Sequence, residues 1–410
     1  MIGRAVLAVG LVLVGAVLSQ PGLVLIGAVT LFVVLVMDIW SRYGLRDLDY
    51  ERDLGPARAV WGDEVRIGLR VWNRKPLPLP RLVTDDYVDD GLAVVERPLL
   101  RSEIAGQGML RNGWSLLWYE RVVRHLHLRA ERRGVFHFGP VRLEVTDLFG
   151  REVGREEREL PATFTVLPRT VPVRSEQPSR APLGTRRARS SLFVDPALFA
   201  GVRPQQPGDP VRQRHWRATA RLGQPVSKRF EPANEQVVII VLDAQTADGP
   251  HWLPVYDEER LEALGVAAAS LARATLASGS ACGLAAAFRT GGERWLSYLP
   301  PRADRQQLTR VGELLARMGP FVSASFEDLL GALPQRVPPG ATLLTLSCRA
   351  PRTYLGALLR LRSSGFEVRH LAIGPTASAT ARVLRARRIP AAVAALEPDW
   401  RTAPSVTVNG

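Results

Sequence analysis

The sequence predicts a multidomain chain: an N-terminal transmembrane helical hairpin, a β-sandwich-like middle domain and a C-terminal α/β doubly wound domain. Three observations predict it. Residues 5–37 are apolar apart from one short break. Between residues 64 and 167, short runs alternate apolar and polar residues at period two. Beyond residue 237, unbroken apolar runs alternate with stretches of helical spacing. A chain of 410 residues holds about two or three domains, each with its own core. The expected boundaries are 1–40 for the hairpin, 41–168 for the sandwich, 169–200 for a basic linker and 201–410 for the α/β region.

The hairpin rests on the break at Ser19, Gln20, Pro21 and Gly22, which has turn chemistry. Each apolar half runs about 16 residues, against about 20 for a standard span. A cleaved signal peptide is the alternative, but a second apolar run follows at once and no A-x-A site separates the two. Arg4 precedes the hairpin; Arg42, Arg46 and Arg52 follow it; the tip is uncharged. The positive-inside rule then places both ends, and the body, on the cytoplasmic side of the membrane, with residues 5–37 in the lipid bilayer.

The sandwich rests on residues 64–72. Val65, Ile67, Leu69 and Val71 fall on one face of a strand; Glu64, Arg66 and Arg70 fall on the other. Similar short strands are expected at 122–128, 135–138, 141–145 and 164–167, separated by turn residues that include Gly91, Gly134, the Gly139-Pro140 pair and Gly150. His125 and His127 share a face, but no third ligand accompanies them, so they read as surface histidines.

The formal charge of +14 suggests a nucleic-acid binder until its make-up is considered. Lys75 and Lys228 are the only lysines, so arginine is enriched throughout, as in a GC-rich genome. Residues 167–235 still concentrate a net charge of about +8. Within them, 169–191 mixes arginine with proline and serine and reads as a linker. Asp209 followed by Pro210 has the form of an N-cap and first helical position, and Gly223 that of a C′ residue. A helix over 210–221 would place Arg214, Arg217 and Arg221 on one side. Trp216 is the one aromatic among these arginines, and no nucleic-acid module surrounds it, so a nucleic-acid grip is a minor alternative.

The residues Arg203-x-x-x-Pro207-Gly208-Asp209-x-Val211-Arg212-x-x-x-Trp216-x-x-Thr219-Ala220-Arg221, then Lys228-x-Phe230-Glu231 and an apolar strand ending in Asp243, resemble the signature of the bacterial domain-of-unknown-function 58 family. Arg133-Gly134-Val135-Phe136-x-Phe138-Gly139-Pro140 and Asp147-x-Phe149-Gly150 also resemble family features, as does the hairpin. Gln205, Arg214 and Leu148 depart from the usual pattern. The resemblance implies a von Willebrand factor A-like C-terminal domain and association with a MoxR-type AAA+ ATPase. It marks Arg203, Gly208, Asp209, Arg212, Trp216, Thr219, Arg221, Lys228, Phe230 and Glu231 as signature positions for structure or interaction.

In the α/β region, strands are expected at 237–242, 282–288, 342–346, 368–373 and 391–394, with helices at 258–277, 305–318, 353–363 and 377–387. Domains of the implied type often hold a divalent cation through D-x-S-x-S. Here the matching stretch is Asp243-Ala244-Gln245-Thr246-Ala247, so Asp243 remains and both serines are gone. No metal or other cofactor is therefore expected, with magnesium at Asp243 as the alternative. No P-loop, H-E-x-x-H or C-x-x-C is present. Gly279-Ser280-Ala281-Cys282-Gly283 fails as a nucleophile elbow because its centre is alanine. The two cysteines, Cys282 and Cys348, form no disulfide framework. The expected function is thus non-catalytic: a membrane-anchored interaction or scaffold protein, partnering a MoxR-type ATPase in the assembly or maturation of other proteins. The alternatives are a metal-dependent enzyme or adhesion-type binder using Asp243, and the nucleic-acid binder.

Overall fold

Two apolar helices open the chain in the computed structural model, which describes residues 2–147, 150–175, 194–205, 214–232, 237–253, 255–288, 295–319, 321–397 and 399–409. They are α1 (Ile2–Val17) and α2 (Pro21–Tyr43). Pro21 suits the first turn of α2, where its missing N–H costs nothing. The helices lie antiparallel and close. A β-carbon on Gly15 would sit 2.8 Å from the Leu23 side chain, and one on Gly27 would sit 2.8 Å from the Val12 backbone. Small residues at such crossings let helix backbones approach. The outer faces expose Leu7, Leu13, Leu25, Phe32 and Leu35. Only α2 among the described helices is long and apolar enough to cross a membrane; α1 is shorter. It runs to Tyr43, past the boundary expected at residue 40.

These helices belong to a first unit that ends at Leu167. Its strands are β1 (Leu48–Asp53), β2 (Arg58–Val60), β3 (Glu64–Asn73), β4 (Leu79–Asp89), β5 (Leu92–Val94), β6 (Leu100–Arg101), β7 (Gln107–Leu116), β8 (Arg121–Ala130), β9 (Gly134–Thr146), β10 (Glu152–Arg158) and β11 (Ala162–Leu167). One sheet has the order β1-β3-β8-β5. The other has the order β2-β11-β9-β4-β7-β6, with β10 also beside β9. Ile67, Leu69 and Leu126 of the first sheet share one core with Leu82, Leu110, Leu143 and Phe164 of the second. The alternation read at 64–72 is the inward face of β3.

One expected feature is corrected. The sequence places two strands either side of Gly139-Pro140, but β9 runs through both. Proline is tolerated there because the ladder is already irregular. Asp86 pairs with Val141 and Val88 with Phe138, so two residues of β9 oppose Tyr87. Residue 139 also marks where the other neighbour of β9 changes from β11 to β10.

A buried polar cluster ties the sheets together. Asp86 on β4 accepts from the Tyr50 hydroxyl and, at 2.7 Å, from Arg52 Nε, both on β1. The Arg52 amino groups reach the carbonyls of Leu160 (2.7 Å) and Gly139 (2.8 Å). All five donors of the guanidinium lie in a site where its side chain is 3% exposed, so each lost partner is costly. Burial pushes the Asp86 carboxyl above its ordinary value, and Arg52 opposes that shift.

The second unit, from Pro168, carries β12 (Val173–Ser175), β13 (Val194–Pro204), α3 (Trp216–Leu222), β14 (Val226–Pro232), β15 (Val237–Leu242), α4 (Glu258–Ala277), β16 (Ala281–Ala286), β17 (Ser297–Arg302), α5 (Gln307–Ala316), α6 (Phe326–Ala332), β18 (Thr342–Ser347), α7 (Leu355–Ser363), β19 (Glu367–Ile373), α8 (Ala377–Ala386), β20 (Ala391–Ala395) and β21 (Val406–Asn409). The main sheet has the order β12-β21-β20-β19-β18-β15-β16-β17. Its five central strands are parallel, and β17 and β21 join antiparallel. Strands β15, β16 and β18 are buried on both faces, as continuous apolar runs require. Asp257 caps α4 by accepting from the Arg260 amide, and Glu258 and Glu259 follow in its first turn.

The linker expected at 169–200 is partly strand. Its residues 173–175 add β12 in parallel to β21, and 194–200 belong to β13. Residues 176–193, with Arg180, Arg186, Arg187 and Arg189, lie outside the described residues.

Replacing Arg52 by alanine strands the buried Asp86 carboxylate. We expect a loss of about 3–5 kcal/mol, read as a lower melting temperature of the full chain in detergent. Arg70→Ala, which removes an exposed ion pair to Glu51, serves as control and should shift melting by well under 1 kcal/mol-equivalent, at about 0.5.

Candidate functional site

The signature segment folds as a two-stranded ribbon with a short helix. Strand β13 pairs antiparallel with β14, placing Arg203 opposite Ser227, Val202 opposite Lys228 and Phe199 opposite Phe230, with Glu231 next along β14. Gly208, Asp209 and Arg212 lie outside the described residues, as does the expected cap at Asp209 and Pro210. The expected helix over 210–221 is corrected: α3 begins at Trp216. His215 is its cap, accepting from the Ala218 amide through Nδ1 at 3.1 Å, because Arg214 is still held extended by a bridge to Ser227. Gly223 ends the helix in the left-handed conformation at φ 67°. Thr219 is structural: its hydroxyl accepts from the Val226 amide at 3.2 Å, folding helix onto strand. Arg214 donates to Gln205 at 2.9 Å and lies 5.1 Å over the Trp216 ring. Helix α3 buries none of its residues, and Trp216, Arg217 and Arg221 are exposed.

Asp243 occupies a different place. Strands β15 and β16 follow one another in one direction across the sheet; β18, β19 and β20 follow in the other. The order reverses between β15 and β18, and ligands of open α/β sheets bind beyond the carboxyl ends of the strands at such a point. Asp243 follows the last residue of β15 and Ser347 closes β18, so both reach this crevice. Asp243 Oδ2 accepts from Ser347 Oγ at 2.7 Å and from Arg349 Nε at 2.9 Å; Oδ1 accepts from the Gln245 amide at 3.2 Å. The two ionic side chains are 1% and 4% exposed. Burial pushes the Asp243 carboxyl up, and Arg349, Ser347 and the Gln245 amide oppose it. Burial works against the Arg349 charge, but the Asp243 carboxylate more than offsets that. Gln245, where the cation motif has serine, spends its side-chain amide on the Ala247 and Gly249 carbonyls. Among the described residues, no group of three metal-ligating side chains gathers.

Arg349 continues into a second buried group. Its carbonyl accepts from the Tyr354 hydroxyl at 3.1 Å, and the Tyr354 ring stacks on His370 at 5.6 Å. Thr345 Oγ1 donates to the Arg369 carbonyl at 3.0 Å, which leaves it to accept from His370 Nδ1 at 2.9 Å. His370 is fully buried, and burial lowers its pKa to about 3. It is a neutral core imidazole. Burial also pushes the Cys282 and Cys348 thiols up to about 12, so neither is a ready nucleophile.

The sequence missed the rim of this crevice. The loop from Asp243 to the α4 cap exposes Trp252 (73%), Leu253, Val255 and Tyr256. Phe321 (72% exposed) lies in the segment before α6, which the Ser323 amide ties to the Ala287 carbonyl just past β16. Both segments sit at the carboxyl edge of the parallel strands. The available signal was the stretch His251-Trp252-Leu253-Pro254-Val255-Tyr256, apolar residues packed into a loop where polar ones are usual.

These features define a β-rich multidomain protein with an N-terminal apolar helix and an exposed apolar rim. Residues 201–338 match the model of the family described as "Protein of unknown function DUF58". The chain is similar to the uncharacterized protein YeaD of Bacillus subtilis (strain 168), 23% identical over 254 residues, covering 62% of this chain and 59% of that protein. The match thus spans about three fifths of that relative's length. Similar solved structures include the CARDB domain of the PF1109 protein from Pyrococcus furiosus, 15% identical, covering 29% of this chain and 92% of that one at a TM-score of 0.21. They also include native alpha-2-macroglobulin of Escherichia coli, 17% identical, covering 30% of this chain and 7% of that one at a TM-score of 0.22. Likenesses at these scores carry no inference about fold or function.

A histidine held neutral in the fold takes up a proton when the chain unfolds. Its contribution therefore falls as pH drops from its ordinary 6.5 toward about 3. We expect His370→Gln to reduce the loss of melting stability over that window, by up to about 1.4 kcal/mol per pH unit relative to the parent. Parallel acid melting curves would refute the assignment.

Proposed function

We propose that this chain is a membrane-anchored interaction protein whose α/β unit, of von Willebrand factor A-like type, docks a MoxR-type AAA+ ATPase. The observation that carries the reading is the exposed apolar rim around a switch point whose carboxylate is already paired. Exposed apolar side chains at one edge of a sheet suit a protein partner. At the switch point the Asp243 carboxylate is already committed to Arg349, Ser347 and the Gln245 amide. On this reading the partner supplies nucleotide hydrolysis, and this chain needs neither a nucleotide nor a metal of its own. The ribbon and α3, with Trp216 and Arg221 outward, form a second surface for the same partner or its client.

The anchor is α1 with α2. Support comes from the mean hydropathy of 2.6 in α2 and from the glycine contacts that join the helices. With Arg4 before the hairpin and Arg42 and Arg46 after it, the positive-inside rule supports a bacterial cytoplasmic location for both ends and the body.

Affinity purification from solubilised membranes tests the proposal. The parent chain should retain an AAA+ ATPase. The Trp252→Ser, Phe321→Ser double variant should lose about tenfold or more of it while melting at the parent temperature. A parent that never retains an ATPase, or a variant that retains it equally, overturns the reading.

A further inference from the structure

The first unit carries a second exposed apolar cluster. The turn between β7 and β8 presents Leu117, Trp118 and Tyr119, which are 58%, 61% and 62% exposed. Soluble turns favour glycine, asparagine or aspartate. Here Tyr119 itself takes the left-handed conformation, at φ 55°. A large aromatic side chain is held where a glycine would serve the backbone better.

The turn is fixed rather than loose. Asn73, fully buried, donates from Nδ2 to the carbonyls of Leu117 (2.7 Å) and Leu77 (2.9 Å). Glu120 Oε2 accepts from the Leu117 amide at 2.6 Å. The Tyr119 amide donates to the Lys75 carbonyl at 3.2 Å.

The same residues stitch the turn to the end of α2. The Lys75 ammonium donates to the Arg46 carbonyl at 2.7 Å, and the Arg74 amide donates to the Asp47 carbonyl at 2.8 Å. The Trp40 indole, in the last turn of α2, donates to the Pro78 carbonyl at 3.0 Å. Leu79, the next residue, pairs with Leu116, the residue before the turn. The three exposed side chains therefore lie beside the point where the apolar helix leaves the body.

That point has the chemistry of a bilayer interface. The apolar run of α2 gives way to Asp38, Trp40, Arg42 and Tyr43, and aromatic residues concentrate at the headgroup level. Arg46 sits 5.0 Å over the Tyr43 ring, and Arg74 sits 4.1 Å over the Trp72 ring. We propose that Leu117, Trp118 and Tyr119 form a second membrane contact that enters the headgroup region of the bilayer crossed by α2. The occupant is lipid. The inference rests on the reading of α2 as a membrane span. Charge is nearly balanced here, with Arg42, Arg46, Arg74, Lys75 and Arg121 set against Asp38, Asp47, Asp49 and Glu120. Entry is therefore driven by the apolar side chains and needs no anionic lipid. Two contacts, a helix and a rigid turn, fix the orientation of the sandwich on the membrane, which a single helix leaves free to swivel.

The test uses the full chain reconstituted in phosphatidylcholine vesicles. An environment-sensitive fluorophore is attached in turn through Trp118→Cys, Val29→Cys in α2 and Ile104→Cys, with Cys282 and Cys348 buried and unlabelled. Ile104 precedes β7, about 30 Å from the turn along the strand. Nitroxides carried on the lipids report contact and depth. The label at 118 should emit at shorter wavelength and be quenched most by shallow nitroxides; that at 29 should be quenched most by deep ones; that at 104 should stay unquenched. A label at 118 that behaves like 104, with 29 quenched, overturns the second contact alone. An unquenched label at 29 overturns the span, and the turn contact with it. Leu117→Cys repeats the measurement should the change at 118 disturb the turn.

Discussion

The ion pair between Asp243 and Arg349 decides what the α/β unit can do. A parallel sheet whose strand order reverses opens a crevice between two strand ends, and that crevice is where such folds hold ligands. Here β15 and β18 fill it with their own side chains. One carboxylate accepts from a guanidinium, a hydroxyl and a backbone amide. A buried pair of this kind is weak evidence of added stability, because desolvation costs as much as the attraction returns. Its consequence is positional. It joins the ends of two central strands, starts the loop that carries Trp252, and through the Arg349 carbonyl holds Tyr354 against His370.

The Asp243 carboxylate is thus spent on structure. Exposed apolar side chains include those on the rim of the α/β sheet, on the outer faces of α1 and α2, and on the turn after β7. The rim loop and the turn are braced by side-chain hydrogen bonds rather than left slack. Asp257 and Thr246 brace the rim loop, and Asn73 braces the turn. In the sandwich, Arg52 spans from β1 to the carbonyls of Gly139 and Leu160, so the two sheets behave as one support.

Much of this organisation was legible in the residues. Continuous apolar runs gave β15 and β18 within a residue, because doubly buried strands need no polar face. The helical spacing of Leu261, Leu264 and Ala268 gave α4 its bounds from Glu258 to Ala277. Period two gave β3. What the pattern hid was tertiary. Pro140 looks like a strand end until the bulge opposite Tyr87 absorbs it. The helix expected from residue 210 is described from Trp216, because Arg214 remains extended and His215 provides the cap. Short β12 and β21 depend on each other across more than half the chain, which no local window sees. Asp243 was visible as a residue, but its partner Arg349 lies 106 positions away and has no local signature.

The most direct test of the central claim is a manganese titration of the full chain, read by electron paramagnetic resonance. If Asp243 is satisfied by Arg349, Ser347 and the Gln245 amide, the spectrum stays that of the free ion, and Asp243→Asn changes nothing. A bound-manganese signal in the parent that disappears in Asp243→Asn would contradict the account, because it would mean that the switch point is a cation site and the ion pair a removable plug.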